Sequence, residues 1–358
     1  MQGAPAAAIQ RLAERFNASQ ADWQVVPSYH GSYAETLEEG LSAAREGRAP
    51  HLLQVSESGA TDMLNEPRLV KPLYQLAAEA RMPLERNAFI PAAAALYNDS
   101  TGRLMAMPFN GSTPVMLYSR EAFVEAGLDP DKPPTSWYEL QPMLIKLQEA
   151  GSSCPYTTSW QTWIHLVNVS AWHNFPLASA NNGYGAGRPE LQFNTHLMIR
   201  HVSLLSAWHK SDLFSYSGRA NAGDRRFASG ECAILTTNSS AYPDIRSEAR
   251  FTVMTAPLPH YDDLNGAPYN TLLGGGALWT MAGKPGADYA GVAQFLRFLA
   301  TPEALQEWHQ NTGYMPVSRS AESMLRKSGY FSQHPLAEIV NRQWQPRAAG
   351  NFARGVRL

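Results

Sequence analysis

The chain has 358 residues, enough for two domains of ordinary size. A net charge of -2 argues against nucleic acid as a partner, because that role needs a basic face. Hydrophobic residues make up 44% of the chain, which suits a sizeable core, yet no run of about 18 apolar residues occurs to span a membrane as a helix.

In chain order, Pro5 suits the first turn of a helix from Ala6 to Phe16, with Ile9, Leu12 and Phe16 on one face. Trp23 to Val26 reads as a short strand. Ser32 and Glu35 form a capping box for a helix through Glu46, with Leu37, Leu41 and Ala44 inward and Gly47 ending it. HLLQV, from His51 to Val55, is a compact buried strand, and its exit SESGAT places Glu57 on a loop beyond the strand end. Ligands of open α/β sheets bind there, although a lone Glu on such a loop is more often solvated or a helix cap. Leu69 to Ala80 is expected to be helical, and Asn87 to Leu96 helical or irregular.

Met107 to Ser119, MPFNGSTPVMLYS, organises the chain. A short apolar run leads into a polar loop, Asn110 to Thr113, and a second apolar run follows from Val115 to Tyr118. Such a stretch is either a crossover between lobes with small donors facing a cleft, or an ordinary surface turn. Ser119 caps a helix ended by Gly127, and Ser136 with Glu139 opens the next, Tyr138 to Glu149. Pro155 to Thr158 is a strand, and Ser159 to Trp163 starts a helix. Trp160 at that junction is either core or a stacking floor.

Asn181 to Gly187 is a loop, Asn194 to Lys210 a long helix, and Asn221 to Gly230 a polar segment. ECAILTTNSS and Phe251 to Leu258 are strands, the first with a polar exit from Thr237 to Ser240. In LLGGGALW, glycines let a ligand or another strand approach the backbone, or make a bulge. The run is not GxGxxG and opens no helix, so a nucleotide site is rejected. Tyr289 to Leu299 and Pro302 to Gln310 are helices, Thr312 to Pro316 a turn, and short helices follow. Strands and helices alternate with short connections, which predicts an α/β architecture with parallel or mixed sheets.

Cys154 and Cys232 carry no metal-binding spacing. One disulfide in an oxidising compartment and two buried thiols remain open, and the two residues are expected to lie close together. The opening MQGAPAAAIQ lacks the charged start and long apolar stretch of a signal peptide, so the chain is expected to be cytoplasmic or a trimmed form. Neither a cofactor nor a metal is expected. The 9 Trp and 15 Tyr exceed what a core of this size needs; such an excess often marks ligand stacking, although the core could hold most of them.

LYSREAFVEAGLDPDKPPTSWYEL, from Leu117 to Leu140, resembles the extracytoplasmic solute-binding proteins of ABC importers in their sugar-binding branch. PSYHGSYAETL, LLQVSESG, PFNGSTPV, SWQTWIHL, ECAILTTNSS, LLGGGALW and EWHQNTGYMPV resemble, in order, the members that bind glycerol phosphates. The similarity covers nearly the whole chain. It implies a periplasmic-binding-protein-like fold of type II, with two α/β lobes, a hinge and a ligand cleft between them. The lobes would comprise residues 1–115 with 250–311, and 116–249 with 312–358. The resemblance implies no catalysis, a periplasmic or lipid-anchored location, and a monomer that serves the transmembrane subunits of an ABC importer. The implied ligand is sn-glycerol 3-phosphate or a glycerophosphodiester.

By position, the resemblance assigns Tyr33, Glu57, Ser112, Trp160, Ser239, Gly275 and Tyr314 to the ligand. Ser112, Ser239, Tyr314 and the Gly275 N–H would donate to phosphate. Glu57 would face the glycerol hydroxyls, Trp160 would form the apolar floor, and Tyr33 would wall the cleft. The family has a strand before the first helix and a segment beyond GVRL that carries an arginine for the phosphate; this chain is therefore expected to be a shortened form. Arg354 or Arg357 is a weak substitute. The rival readings are an oligosaccharide-binding member, a sensor that presents ligand to a receptor, and a carbohydrate-active enzyme, which would need two carboxylates across its cleft.

Overall fold

The computed structural model describes residues 3–83, 88–99 and 101–344. Among them the strands are β1 (Leu52–Ser56), β2 (Met107–Ser112), β3 (Pro114–Ser119), β4 (Tyr156–Thr158), β5 (Phe214–Tyr216), β6 (Ile234–Asn238), β7 (Val253–Pro257) and β8 (Gly274–Thr280). Helices separate most of them, as the alternating pattern predicts. The chain divides into two units, residues 1–111 with 273–330, and residues 112–272 with 331–358.

In the first unit a three-stranded sheet runs in the order β1-β8-β2, with β1 antiparallel to β8. Both faces are covered, and strand alternation sorts the side chains between them. Ala277 and Trp279 pack with Leu53, Val55, Met63 and Tyr97. Leu278, Met107 and Phe109 pack on the other side with Leu12 and Phe16 of the helix Gly3–Ser19 and with Leu296 and Trp308. Trp23 to Val26 forms no strand. Its extended backbone finds a side chain instead of a neighbouring strand: the Asn17 amide pairs with the Val25 N–H and C=O at 2.8 and 2.9 Å.

In the second unit five strands run in the order β5-β4-β6-β3-β7. β3 is antiparallel to β6 and β7, while β4 is parallel to β5 and β6, so the sheet is mixed. The helix Trp137–Glu149 buries Trp137, Leu140, Leu144 and Leu147 against it, a stripe with helical spacing. Both predicted capping boxes form, at Ser32 with Glu35 and at Ser136 with Glu139. Cys154 and Cys232, just before the paired strands β4 and β6, are joined in a disulfide.

The unit boundaries depart from the expected lobes. Residues 112–115 and 250–272 join the second unit, because β3 sits in its sheet and β7 pairs with β3. Residues 312–330 stay with the first: the helix Arg319–Lys327 packs on Pro302–Thr312, and the Ile90 N–H donates to the Val317 carbonyl. The expected polar loop from Asn110 to Thr113 is mostly strand, buried along its whole length. Asn221 to Gly230 contains a helix, Ala222–Ala228, which docks on β4 and β6. The loop expected from Asn181 to Gly187 is entered through a tight left-handed turn at Ala180 to Asn182.

Candidate functional site

The expected ligand residues fall into two groups, one in each unit. In the first unit, Tyr33 opens the capped helix Tyr33–Arg45, Glu57 begins the turn leaving β1, and Gly275 lies at the start of β8. Tyr314 follows the helix Pro302–Thr312, which ends on Gly313 at φ 65°, a left-handed conformation that glycine adopts without strain. These four residues come together. The Gly275 N–H donates to Glu57 Oε2 at 3.1 Å, and Asn110 Nδ2 donates to the Tyr33 hydroxyl at 3.0 Å. Tyr33 also hydrogen-bonds the side chain of Tyr314. The Met315 N–H fastens this turn to the Gly111 carbonyl at 2.7 Å, and the Tyr314 ring stacks on Trp308 with centroids 5.8 Å apart.

Burial dominates the electrostatics here. It raises the Glu57 carboxyl to about 7, against hydrogen bonds from its own backbone and from Gly275 that pull it down. Burial likewise pushes Tyr33 well above the usual phenol range, with Tyr314 adding to the effect, and it raises Tyr97, with Glu57 as the second cause. Glu57 is therefore close to its midpoint at neutral pH.

Gly275 has a specific reason to be glycine. Its φ is 116°, and a Cβ there would lie 2.4 Å from the Asn110 carbonyl oxygen. The close approach is to strand β2, one of the alternatives that the glycine run leaves open. Its N–H is held by Glu57 rather than facing an open acceptor.

In the second unit, Ser112 ends β2 and is buried. Thr113 and Ser239 exchange bonds: the Thr113 N–H donates to Ser239 Oγ at 3.2 Å, and the Ser239 N–H donates to the Thr113 carbonyl at 2.8 Å. This ties the start of β3 to the exit of β6. Trp160 is not core. It is 37% exposed and held at φ 50°, a left-handed conformation costly for a bulky residue, so its surroundings must over-determine it. Its N–H donates to the Ala220 carbonyl at 2.7 Å.

Trp160 meets the Ser239 turn through a residue that sequence reasoning does not single out. Asp224 Oδ1 accepts from Ser159 Oγ and from Thr237 Oγ1, each at 2.7 Å. In the sequence it looks like an ordinary acid in the first turn of a helix. Asn110, flagged only as a loop donor, is likewise a member of the Tyr33 group. Arg354 and Arg357 lie outside the described residues.

A family model for bacterial extracellular solute-binding proteins matches residues 11–337. The chain belongs to that family. Its relatives include the sn-glycerol-3-phosphate-binding periplasmic protein UgpB of Yersinia pseudotuberculosis, 42% identical over all of this chain and 82% of the relative. The corresponding protein of Salmonella typhimurium is 40% identical over the same shares. Among solved structures, UgpB from Mycobacterium tuberculosis in complex with glycerophosphocholine has a TM-score of 0.79 at 22% identity, covering 94% of this chain and 82% of that one. The GacH receptor of Streptomyces glaucescens has a TM-score of 0.78 at 17% identity, covering 97% and 85%. The fold is thus the periplasmic-binding-protein-like fold of type II.

Proposed function

We propose that this protein captures sn-glycerol 3-phosphate or a glycerophosphodiester outside the cytoplasm and hands it, unaltered, to the transmembrane subunits of an ABC importer. The chain-long 40–42% identity to relatives named for sn-glycerol 3-phosphate carries this reading. The geometry supports it. In the first unit, Glu57 offers acceptor capacity to glycerol hydroxyls, and Tyr33 and Tyr314 flank it with phenol groups. In the second, Ser112 and Ser239 offer small hydroxyls to phosphate oxygens, and the exposed ring of Trp160 offers an apolar face to the carbon chain.

The Cys154–Cys232 disulfide supports an oxidising compartment, in this reading the periplasm or the outer face of a membrane. The protein acts as a monomer, without nucleic acid or a cofactor.

Calorimetric titration with sn-glycerol 3-phosphate, glycerophosphocholine and maltose tests the reading. Saturable binding of a glycerol phosphate, weakened at least tenfold in Trp160→Ala, is expected. Binding of maltose alone would overturn the ligand and favour the oligosaccharide branch.

A further inference from the structure

The candidate residues Trp160 and Ser239 sit on separate turns, at the C-terminal ends of the neighbouring strands β4 and β6. Ser159 immediately precedes one, and Thr237 lies two residues before the other. Both hydroxyls converge on the same carboxylate oxygen, Asp224 Oδ1, at 2.7 Å each. We propose that Asp224 is a positioning residue that sets Trp160 and Ser239 in their mutual geometry for ligand; this rests on the function proposed above.

Three observations support that role. First, the helix carrying Asp224 is pressed onto the end of β4: a Cβ on Gly223 would lie 2.7 Å from the Thr158 carbonyl oxygen and 2.9 Å from Ser159 Oγ. No larger residue lets Asp224 reach its partners without the backbone moving. Second, the segment leading into that helix grips the turn itself, through the bond from the Trp160 N–H to the Ala220 carbonyl. Ala220 is also left-handed, at φ 49°, so two strained residues face one another and neither conformation persists without outside support. Third, the acid is mostly desolvated, and burial raises it to about 6 while its two hydroxyl donors pull it down. At neutral pH it is an ionised acceptor whose charge is compensated by those hydroxyls. A buried carboxylate is costly unless its hydrogen bonds are made, so it holds both strand ends.

The test compares Asp224→Ala with Asp224→Asn, because asparagine keeps the acceptor oxygen and alanine removes it. Two quantities are read in folded protein: affinity for sn-glycerol 3-phosphate by calorimetry, and acrylamide quenching of Trp160. The Trp160 signal is the difference between each variant and its Trp160→Phe partner. Asp224→Ala is expected to weaken binding roughly tenfold and to raise Trp160 quenching, whereas Asp224→Asn restores affinity to within about threefold of the parent. A merely structural role would lower the melting temperature while leaving both readouts unchanged in the folded protein, and that result overturns the proposal. Equal losses in the alanine and asparagine variants also overturn it.

Should Asp224→Ala fail to fold, Ser159→Ala and Thr237→Ala each remove one donor. Each is expected to weaken binding about threefold, and no change in either would refute the proposal. If the parent protein binds none of the glycerol phosphates, the functional reading fails, and the Trp160 quenching still decides the role of Asp224.

Discussion

In the first unit Glu57 stands at the exit of β1 and takes one neighbouring backbone N–H, from Gly275. In the second, Asp224 stands behind the exits of β4 and β6 and takes two side-chain hydroxyls from the protein. Burial raises both carboxyls, to about 7 and about 6. The same physics thus gives two different devices. Glu57 is costly to keep ionised and keeps acceptor capacity beside two tyrosines, which suits the ligand-facing role proposed for it. Asp224 directs its hydrogen bonds into the scaffold and so fixes the residues around it.

The largest test of this contrast is acid. His165, His173 and His201 of the second unit are buried and their basicity is lowered, to about 3 and about 4 for the first two. In the first unit His309 is lowered to about 3 by burial. A histidine with a depressed folded-state pKa contributes stability that is lost as pH falls below its unfolded value, near 6.5. A carboxyl with a raised folded-state pKa does the opposite, favouring the fold as pH falls from its folded value to its unfolded one. Burial also lowers the half-buried His260 of the second unit. Between pH 6 and 4.5, Asp224 therefore offsets one of the four lowered histidines of the second unit, and Glu57 offsets His309 in the first. The second unit should lose at least about 2.7 kcal/mol per pH unit, two net protons from its three buried histidines after the Asp224 offset, while the first changes little. Hydrogen exchange read peptide by peptide at the two pH values, corrected for intrinsic rates, checks this. Equal loss in both units would break the contrast.

Next in size is the disulfide. Replacing Cys154 and Cys232 by alanine should cost the second unit about 2–4 kcal/mol, because the bridge restricts its unfolded chain over a separation of 78 residues. The same exchange experiment should show the first unit unmoved. Comparable in size, Glu57→Gln should stabilise the first unit by about 3 kcal/mol at pH 8 and by almost nothing at pH 4.5, since it removes a charge that burial penalises. Thermal melts at both pH values read the difference. A variant less stable at pH 8 than its parent would show that the Glu57 charge supports the fold.

Much of this molecule could be read from the sequence, for local reasons. Capping boxes at Ser32 and Ser136 involve residues three positions apart, so spacing reveals them. Compact apolar runs reveal β3 and β6, and the resemblance brings Tyr33, Glu57, Gly275 and Tyr314 forward as a group. What stayed hidden depends on contacts distant in the chain. Nothing near Trp23 announces that Asn17 will occupy the Val25 backbone and deny it a strand partner. Asp224 reaches Ser159 across 65 positions, so its sequence neighbourhood shows only a helix-opening acid. The assignment of residues 250–272 to the second unit follows from β7 pairing with β3, a register that composition does not encode.

Affinity separates the two carboxylates most directly. Titrating sn-glycerol 3-phosphate into Glu57→Gln and Asp224→Asn, side by side with the parent at pH 7.5, compares loss of charge at each site with the acceptor oxygen kept. A ligand-facing Glu57 should lose at least tenfold in affinity, because charge-assisted hydrogen bonds to the ligand weaken, while Asp224→Asn stays within about threefold. The reverse order, or equal losses, would contradict the division of labour between the two units.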